Sequence, residues 1–388
     1  MGFRSLWLLL MVVLSCAIAP AGATPAMLHL ASDSEARWVR FELTPGNQIR
    51  FRTMVNGRWV DALLDTGATD SAVSARFARA TGLKPLVSGR ADAIGGSVPL
   101  AWTGIDRIEV GGLVRTGGRL AIIDADPRVT GNAPVDLFVG ADLLAAHALE
   151  IDYDAQRFRL LPSGRLPFRG TTIPLRIADR SRLYLSEVDL GGRNLRPVII
   201  DTGDGGMISL TRSIWRANAP AAVRTTTAIG WGLGGAIESE VAILPSLRLA
   251  NLATREVELR VESDSGFSAR KGAAGRIGGG LLRRHRVLLD PGAGRMVLAA
   301  GERAGWPVTR STSGLMVAPD GSRLRVIHVM RDSPAAAAGW RAGTLICAVD
   351  GAPIAAAARN WTIGAPGRRV RLTLCDGSDR TLTLASFY

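Results

Sequence analysis

Short apolar runs broken by glycine and turn residues dominate the chain, a pattern of many strands and tight turns rather than of helices. Val60-Asp61-Ala62-Leu63-Leu64 and Pro197-Val198-Ile199-Ile200 read as strands, and each runs directly into Asp-Thr-Gly. The apolar pattern resumes after both turns, at Ala72-Val73-Ser74 and at Met207-Ile208-Ser209. Nearer the C-terminus, Leu324 to Val329 alternates like a strand, and Leu345 to Val349 leads into a turn at Asp350-Gly351. Val370 to Leu374 and Thr381 to Leu384 read as a last hairpin. A short helix is expected at Ser333-Pro334-Ala335, where serine caps, proline opens and Gly339 stops it. The pattern as a whole predicts a mainly β protein.

The chain also repeats itself. The two Asp-Thr-Gly turns, Asp65-Thr66-Gly67 and Asp201-Thr202-Gly203, stand 136 positions apart. A second pair of segments keeps nearly the same offset. Val139-Gly140-Ala141-Asp142-Leu143-Leu144 precedes His147, Asp152 and Arg157, and Ile277-Gly278-Gly279-Gly280-Leu281-Leu282 precedes His285, Asp290 and Arg295. From Gly140 to Gly278 and from each later residue to its counterpart the offset is 138. Two separate motifs holding one spacing point to two equivalent units. The first spans about 28–162 and the second about 163–302, with Pro162-Ser163-Gly164 as the hinge.

Two strands that each deliver one aspartate can set both carboxylates around one water. Like charges that close resist double ionisation, so Asp65 and Asp201 would share a proton, one acting as base and the other as acid. Gly67 and Gly203 allow a close approach of the two turns, and the hydroxyls of Thr66 and Thr202 can bond across them. His147 and His285 are expected to be structural, beside the closing strand of each unit.

These residues resemble the retropepsin-type aspartic proteases. Leu64-Asp65-Thr66-Gly67-Ala68 is similar to the active-site motif of that family, Val139 to Leu144 to its second motif, and Ile94-Gly95-Gly96 to the tip of its flap. The resemblance covers roughly 40–300 and implies a bilobed acid-protease β-barrel fold with both halves of the dyad in one chain, as in pepsin-like enzymes. It implies hydrolysis of peptide bonds in polypeptide substrates, without metal or cofactor. Asp204 departs from the small residue usual after the second Asp-Thr-Gly. It reads either as a solvent-facing turn residue before Gly205-Gly206 or as a third carboxylate disturbing the dyad. Ile229 to Gly235 reads either as a second flap or as a plain glycine-rich loop. Residues 312–386 resemble a bacterial protease-associated PDZ domain, a PDZ-like β-sandwich with short helices, through Asp332-Ser333-Pro334-Ala335-Ala336 and Ala342-Gly343-Thr344-Leu345-Ile346. That likeness makes Ser313-Gly314-Leu315-Met316 a loop for C-terminal peptide carboxylates.

Composition adds compartment and partners. Hydrophobic residues make up 47% and charged residues 21%, values of a globular chain. The net charge of +13 is carried almost wholly by arginine, Lys84 and Lys271 being the only lysines. The arginines are scattered and form no block, which argues against a nucleic-acid partner. Arg4, the apolar run Leu6 to Leu14 and Ala21-Gly22-Ala23 read as a signal peptide over 1–23 and place the protein in the periplasm or outside the cell. Val13-Leu14-Ser15-Cys16 loosely resembles a lipoprotein site, a second mode of export. No membrane span is expected after it. Cys347 and Cys375 form either a disulfide or two buried thiols. Two cysteines and four scattered histidines give no metal-ligand spacing. Asn360-Trp361-Thr362 matches a glycosylation acceptor that a bacterial chain rarely uses. A serine-protease reading lacks its nucleophile motif, and the glycines of 229–235 lack the context of a dinucleotide site. Two rivals to catalysis are an envelope protein that binds peptides without cleaving them and a structural envelope protein docked through its C-terminal module.

Overall fold

The structure is a computed structural model; it describes residues 25–355 and 361–388, and the chain is mainly β. The leader read over 1–23, with Cys16, lies outside the described residues, as does Asn360. Among the described residues no helix is long and apolar enough to cross a membrane.

The two Asp-Thr-Gly strands have the same neighbours. Arg58–Leu64 lies between Ile49–Val55, antiparallel, and Leu137–Val139, parallel. Arg193–Asp201 lies between Tyr184–Leu190, antiparallel, and Gly275–Gly278, parallel. Both strands are covered on both faces where they approach the aspartate, which is why they end in unbroken apolar runs rather than alternating ones.

The two units are joined by a shared sheet. Its strands run Thr171–Pro174, Arg295–Ala300, His285–Asp290, Ala148–Asp152, Arg157–Leu161 and Val39–Leu43. At its centre Leu149 faces Leu289, Glu150 faces Leu288 and Ile151 faces Val287. With the offset of 138, Leu149 is the counterpart of Val287 and Ile151 of Leu289. The pairing is therefore symmetric about a local twofold axis through Glu150 and Leu288. Glu150 is fully buried there, held by Arg159 at 2.7 Å and by Arg286. One hydrophobic core runs through both units and includes Leu64, Val139, Ile151, Ile200, Ile277 and Leu289. This continuity fixes the two Asp-Thr-Gly turns relative to each other.

The C-terminal module has its own sheet, in the order Leu315–Asp320, Arg323–Val329, Leu345–Val349, Arg369–Leu374 and Asp379–Thr383. Its separate core contains Val326, Trp340, Trp361 and Val370. The helix Pro334–Ala337 starts as expected, with the Ser333 hydroxyl accepting from the Ala336 amide at 3.1 Å. Cys347 and Cys375 are joined in a disulfide with Cα atoms 5.1 Å apart, which settles the choice left open by sequence. The connecting segment from 301 to 314 carries no strand or helix, yet it is fastened down. Arg303 pairs with Asp154 at 3.3 Å, and Arg284 donates to the Trp306 carbonyl at 2.7 Å.

Candidate active site

Each threonine of the two turns works across the pair. The Thr66 hydroxyl donates to the Ile200 carbonyl at 2.7 Å and accepts from the Thr202 amide at 3.1 Å. The Thr202 hydroxyl donates to the Leu64 carbonyl at 2.7 Å and accepts from the Thr66 amide at 3.0 Å. Both side chains are buried, so these four bonds replace solvent at the centre of the molecule.

The glycines explain how near the turns come. A Cβ on Gly67 would lie 2.3 Å from the Asp201 carboxyl carbon, and one on Gly203 would lie 2.4 Å from that of Asp65. Any side chain at either position would force the aspartates apart. Asp65 accepts from the Gly67 amide, and Asp201 from the amides of Gly203 and Asp204, each at 3.0 Å. The two carboxyls line the same cleft. Burial pushes Asp65 up to about 6, against the lowering effect of the Gly67 amide. Asp201 is held well above the usual carboxylate range, first by burial and then by the charges of Asp65 and Asp204. Both carboxyls are thus held above the usual carboxylate range, and the pair retains a proton that two isolated carboxylates would have lost.

Asp204 is not the solvent-facing turn residue that was one reading of the sequence. One of its carboxylate oxygens does accept from the Gly206 amide at 2.8 Å, closing the turn. The other accepts from Arg276 at 2.6 Å. Arg276 is buried and also engages Glu262 and the Ser268 hydroxyl. Despite burial, which acts to raise it, the Asp204 carboxyl is held below its ordinary value, chiefly by Arg276. Asp204 is thus both a turn residue and a fixed negative charge beside the dyad. Sequence reasoning missed Arg276. Its signal was present: at the offset of 138 it takes the place of Phe138, the residue before Val139-Gly140.

The aspartates lie on a cleft of about 1490 Å³ lined by both units. Ile94 and Gly95 form the tip of the hairpin Val87–Ala93 and Gly96–Gly104. The glycine-rich run at 229–235 is not a plain loop but the tip of a second hairpin, Thr225–Gly232 and Gly235–Leu249. The tips meet over the cleft, with the Gly234 amide donating to the Ile94 carbonyl at 2.9 Å. A Cβ on Gly95, at φ +91°, would stand 3.0 Å from the backbone of Gly234 and Gly235. Only glycine suits both the backbone angle and the contact. Ile94 leans on the second unit, against the cluster of Leu183, Ile199 and Phe267, while Leu233 leans on the first, against Leu63, Ile123 and Phe138.

Ser313, Gly314, Leu315 and Met316 are not part of this site. The Ser313 amide donates to the Thr362 carbonyl, that of Gly314 to the Ser311 hydroxyl and that of Leu315 to the Ser313 hydroxyl. Three amides expected to receive a carboxylate are thus engaged within the module. Met316 instead faces the second hairpin, where its sulfur accepts from the Ile229 amide at 3.4 Å. Beside it Thr226 donates to the Arg331 carbonyl at 2.7 Å, and Thr227 bonds the His328 ring at 2.8 Å. His147 and His285 sit at the starts of the two closing strands, away from the cleft lining. Burial holds both below the usual histidine value, His285 at about 4. Among the described residues no cluster of three histidine, cysteine or acidic side chains is placed to hold a metal ion.

Comparison with known proteins agrees with this geometry over part of the chain. No curated protein matches the sequence. Residues 51–144, about a quarter of the chain, match a family described as "gag-polyprotein putative aspartyl protease". The stretch that carries Asp65, the first hairpin and the Val139-Gly140 segment is similar to retropepsin-like aspartyl proteases.

Proposed function

We propose that the chain is an aspartic endopeptidase that assembles its whole dyad from one polypeptide, with Asp65 and Asp201 as the catalytic pair. The observation that carries this reading is the cross-bonded pair of Asp-Thr-Gly turns, whose carboxyls line one cleft beneath two hairpins. Asp65 takes a proton from the attacking water. Asp201 donates its proton to the carbonyl oxygen of the peptide bond, and the tetrahedral intermediate then collapses with the proton passing to the leaving amine. The hairpin tips close over an extended polypeptide and exclude water. Export to an oxidising compartment is supported by the leader-like sequence at 1–23 and by the Cys347–Cys375 disulfide. The strand order and capped helix of the C-terminal module support a PDZ-like reading, in which a peptide adds to Leu315–Asp320, an edge strand among the described residues.

The test uses the protein without residues 1–23 and an unfolded polypeptide as substrate. Cleavage is expected, and Asp65→Asn or Asp201→Asn should each reduce it to background. Cleavage that survives either substitution refutes the dyad.

A further inference from the structure

The two walls of the cleft occupy equivalent places in the two units but differ in chemistry. In the first unit the strands set Phe138 opposite Ala72, Ala72 opposite Ala121 and Ala121 opposite Trp102. In the second unit the same path reads Arg276 opposite Ser209, Ser209 opposite Arg260 and Arg260 opposite Val241. Two residues along the same face, Ile123 of the first unit is replaced by Glu262. Phe138, Ala121 and Ile123 of an apolar wall in the first unit are thus replaced in the second by the charged side chains of Arg276, Arg260 and Glu262.

The charges on the second wall are not equally committed. Arg276 is buried and bound to Asp204, Glu262 and Ser268, which leaves those two acids partnered as well. Arg260 is 35% exposed on the cleft and spends only its Nε, on Glu258 at 3.1 Å. Its two η nitrogens make no hydrogen bond to the described residues. The second hairpin makes room for them, since a Cβ on Gly230 would stand 2.9 Å from Nη1. A guanidinium with a free pair of η nitrogens is a fork that matches a carboxylate.

We infer that Arg260 is a specificity-determining residue: it takes an acidic substrate side chain on one side of the scissile bond, while the apolar wall of the first unit takes a bulky apolar side chain on the other. This rests on the protease reading above and narrows its substrates to peptides with one apolar and one acidic residue flanking the cleaved bond. The near-twofold symmetry of the cleft leaves the order of the two along the chain to experiment.

The probes are short peptides with Phe-Glu, Glu-Phe, Phe-Phe, Phe-Lys or Lys-Phe at the cleaved bond, together with versions in which a hydroxyethylene group replaces that bond. Cleavage is read as kcat/KM, and the uncleavable versions are read by fluorescence anisotropy. One acid-containing order should exceed Phe-Phe by about tenfold to a hundredfold, the range of a charge-assisted hydrogen bond. Arg260→Gln should remove that advantage, Arg260→Glu should move the preference to the lysine peptide of the same order, and Arg260→Lys should keep part of it. Thermal melting checks that each variant is folded. A preference for Phe-Phe in the unmodified protein, or one left unchanged by Arg260→Glu, overturns the inference. Failure of the protease reading looks different: no peptide is cleaved, while binding of the uncleavable versions still reports the charge preference.

Discussion

Replacing Thr66 by valine keeps the shape of a fully buried side chain and deletes only its hydroxyl. That hydroxyl serves two backbone groups of the other unit, the Ile200 carbonyl and the Thr202 amide. Neither has water to turn to once it is gone. Each orphaned buried group costs about 1 to 3 kcal/mol, so Thr66→Val should destabilise the core shared by the two units by about 2 to 6 kcal/mol. A whole domain has only about 5 to 15 kcal/mol in hand, so the loss is large. Thr66→Ser retains the hydroxyl and loses one buried methyl, for about 1 kcal/mol. The assay is denaturant unfolding followed by tryptophan fluorescence, with slopes compared to confirm that the same surface unfolds. Turnover should fall more steeply than substrate binding, because a shift of about 1 Å between the carboxyls costs around a hundredfold in rate. Should valine and serine destabilise equally, and by no more than about 1 kcal/mol, the cross-bonding would not be what holds the turns together.

The dyad should work at near-neutral pH. Turnover needs one proton on the pair, so activity falls as pH drops through about 6, where Asp65 takes up a proton and ceases to be a base. It falls again at higher pH, where Asp201 ionises too. Asp204→Asn removes a charge that raises both aspartates and should move the acid limb of the kcat/KM profile to lower pH; a maximum near pH 4 in the unmodified protein would contradict this account. In the C-terminal module, Cys347→Ser should cost about 3 to 4 kcal/mol, as expected for opening a loop that spans 28 residues. Unfolding with and without reductant measures that loss, and no change on reduction would refute it.

The geometry of the two turns was legible because it is repeated and local. Asp-Thr-Gly after an apolar run says strand then turn, and two copies with matched later segments say that the turns are related. The hydroxyls of Thr66 and Thr202 could be assigned partners across the pair because each can donate and accept beside a closely approaching turn. Asp204 was left between a solvent-facing turn residue and a third carboxylate because its partner, Arg276, lies 72 residues away and looks like any other arginine in an arginine-rich chain. The second hairpin stayed ambiguous because glycine-rich tips lack the alternation that marks strands, whereas its register with Gly235–Leu249 is set by pairing over many residues. The loop at 313–316 was read from a resemblance carried by element order and by residues 332–336 and 342–346, all outside the loop itself. Order does not report whether a serine hydroxyl beside the loop has already taken its amides.

The residues on the twofold axis also say whether the halves are interchangeable. A half-chain made of the first unit and paired with its own copy would set Glu150 against Glu150, two carboxylates in an environment that already leaves one fully buried. The cross-strand Arg286 that now helps neutralise Glu150 belongs to the other half and would be missing. Two copies of the second unit would avoid that conflict, with Leu288 against Leu288, but would place Asp204 and Arg276 on both sides of the aspartates and leave no apolar wall. Separate halves expressed together should therefore find each other rather than themselves, a sorting rule written into one acidic residue at the seam.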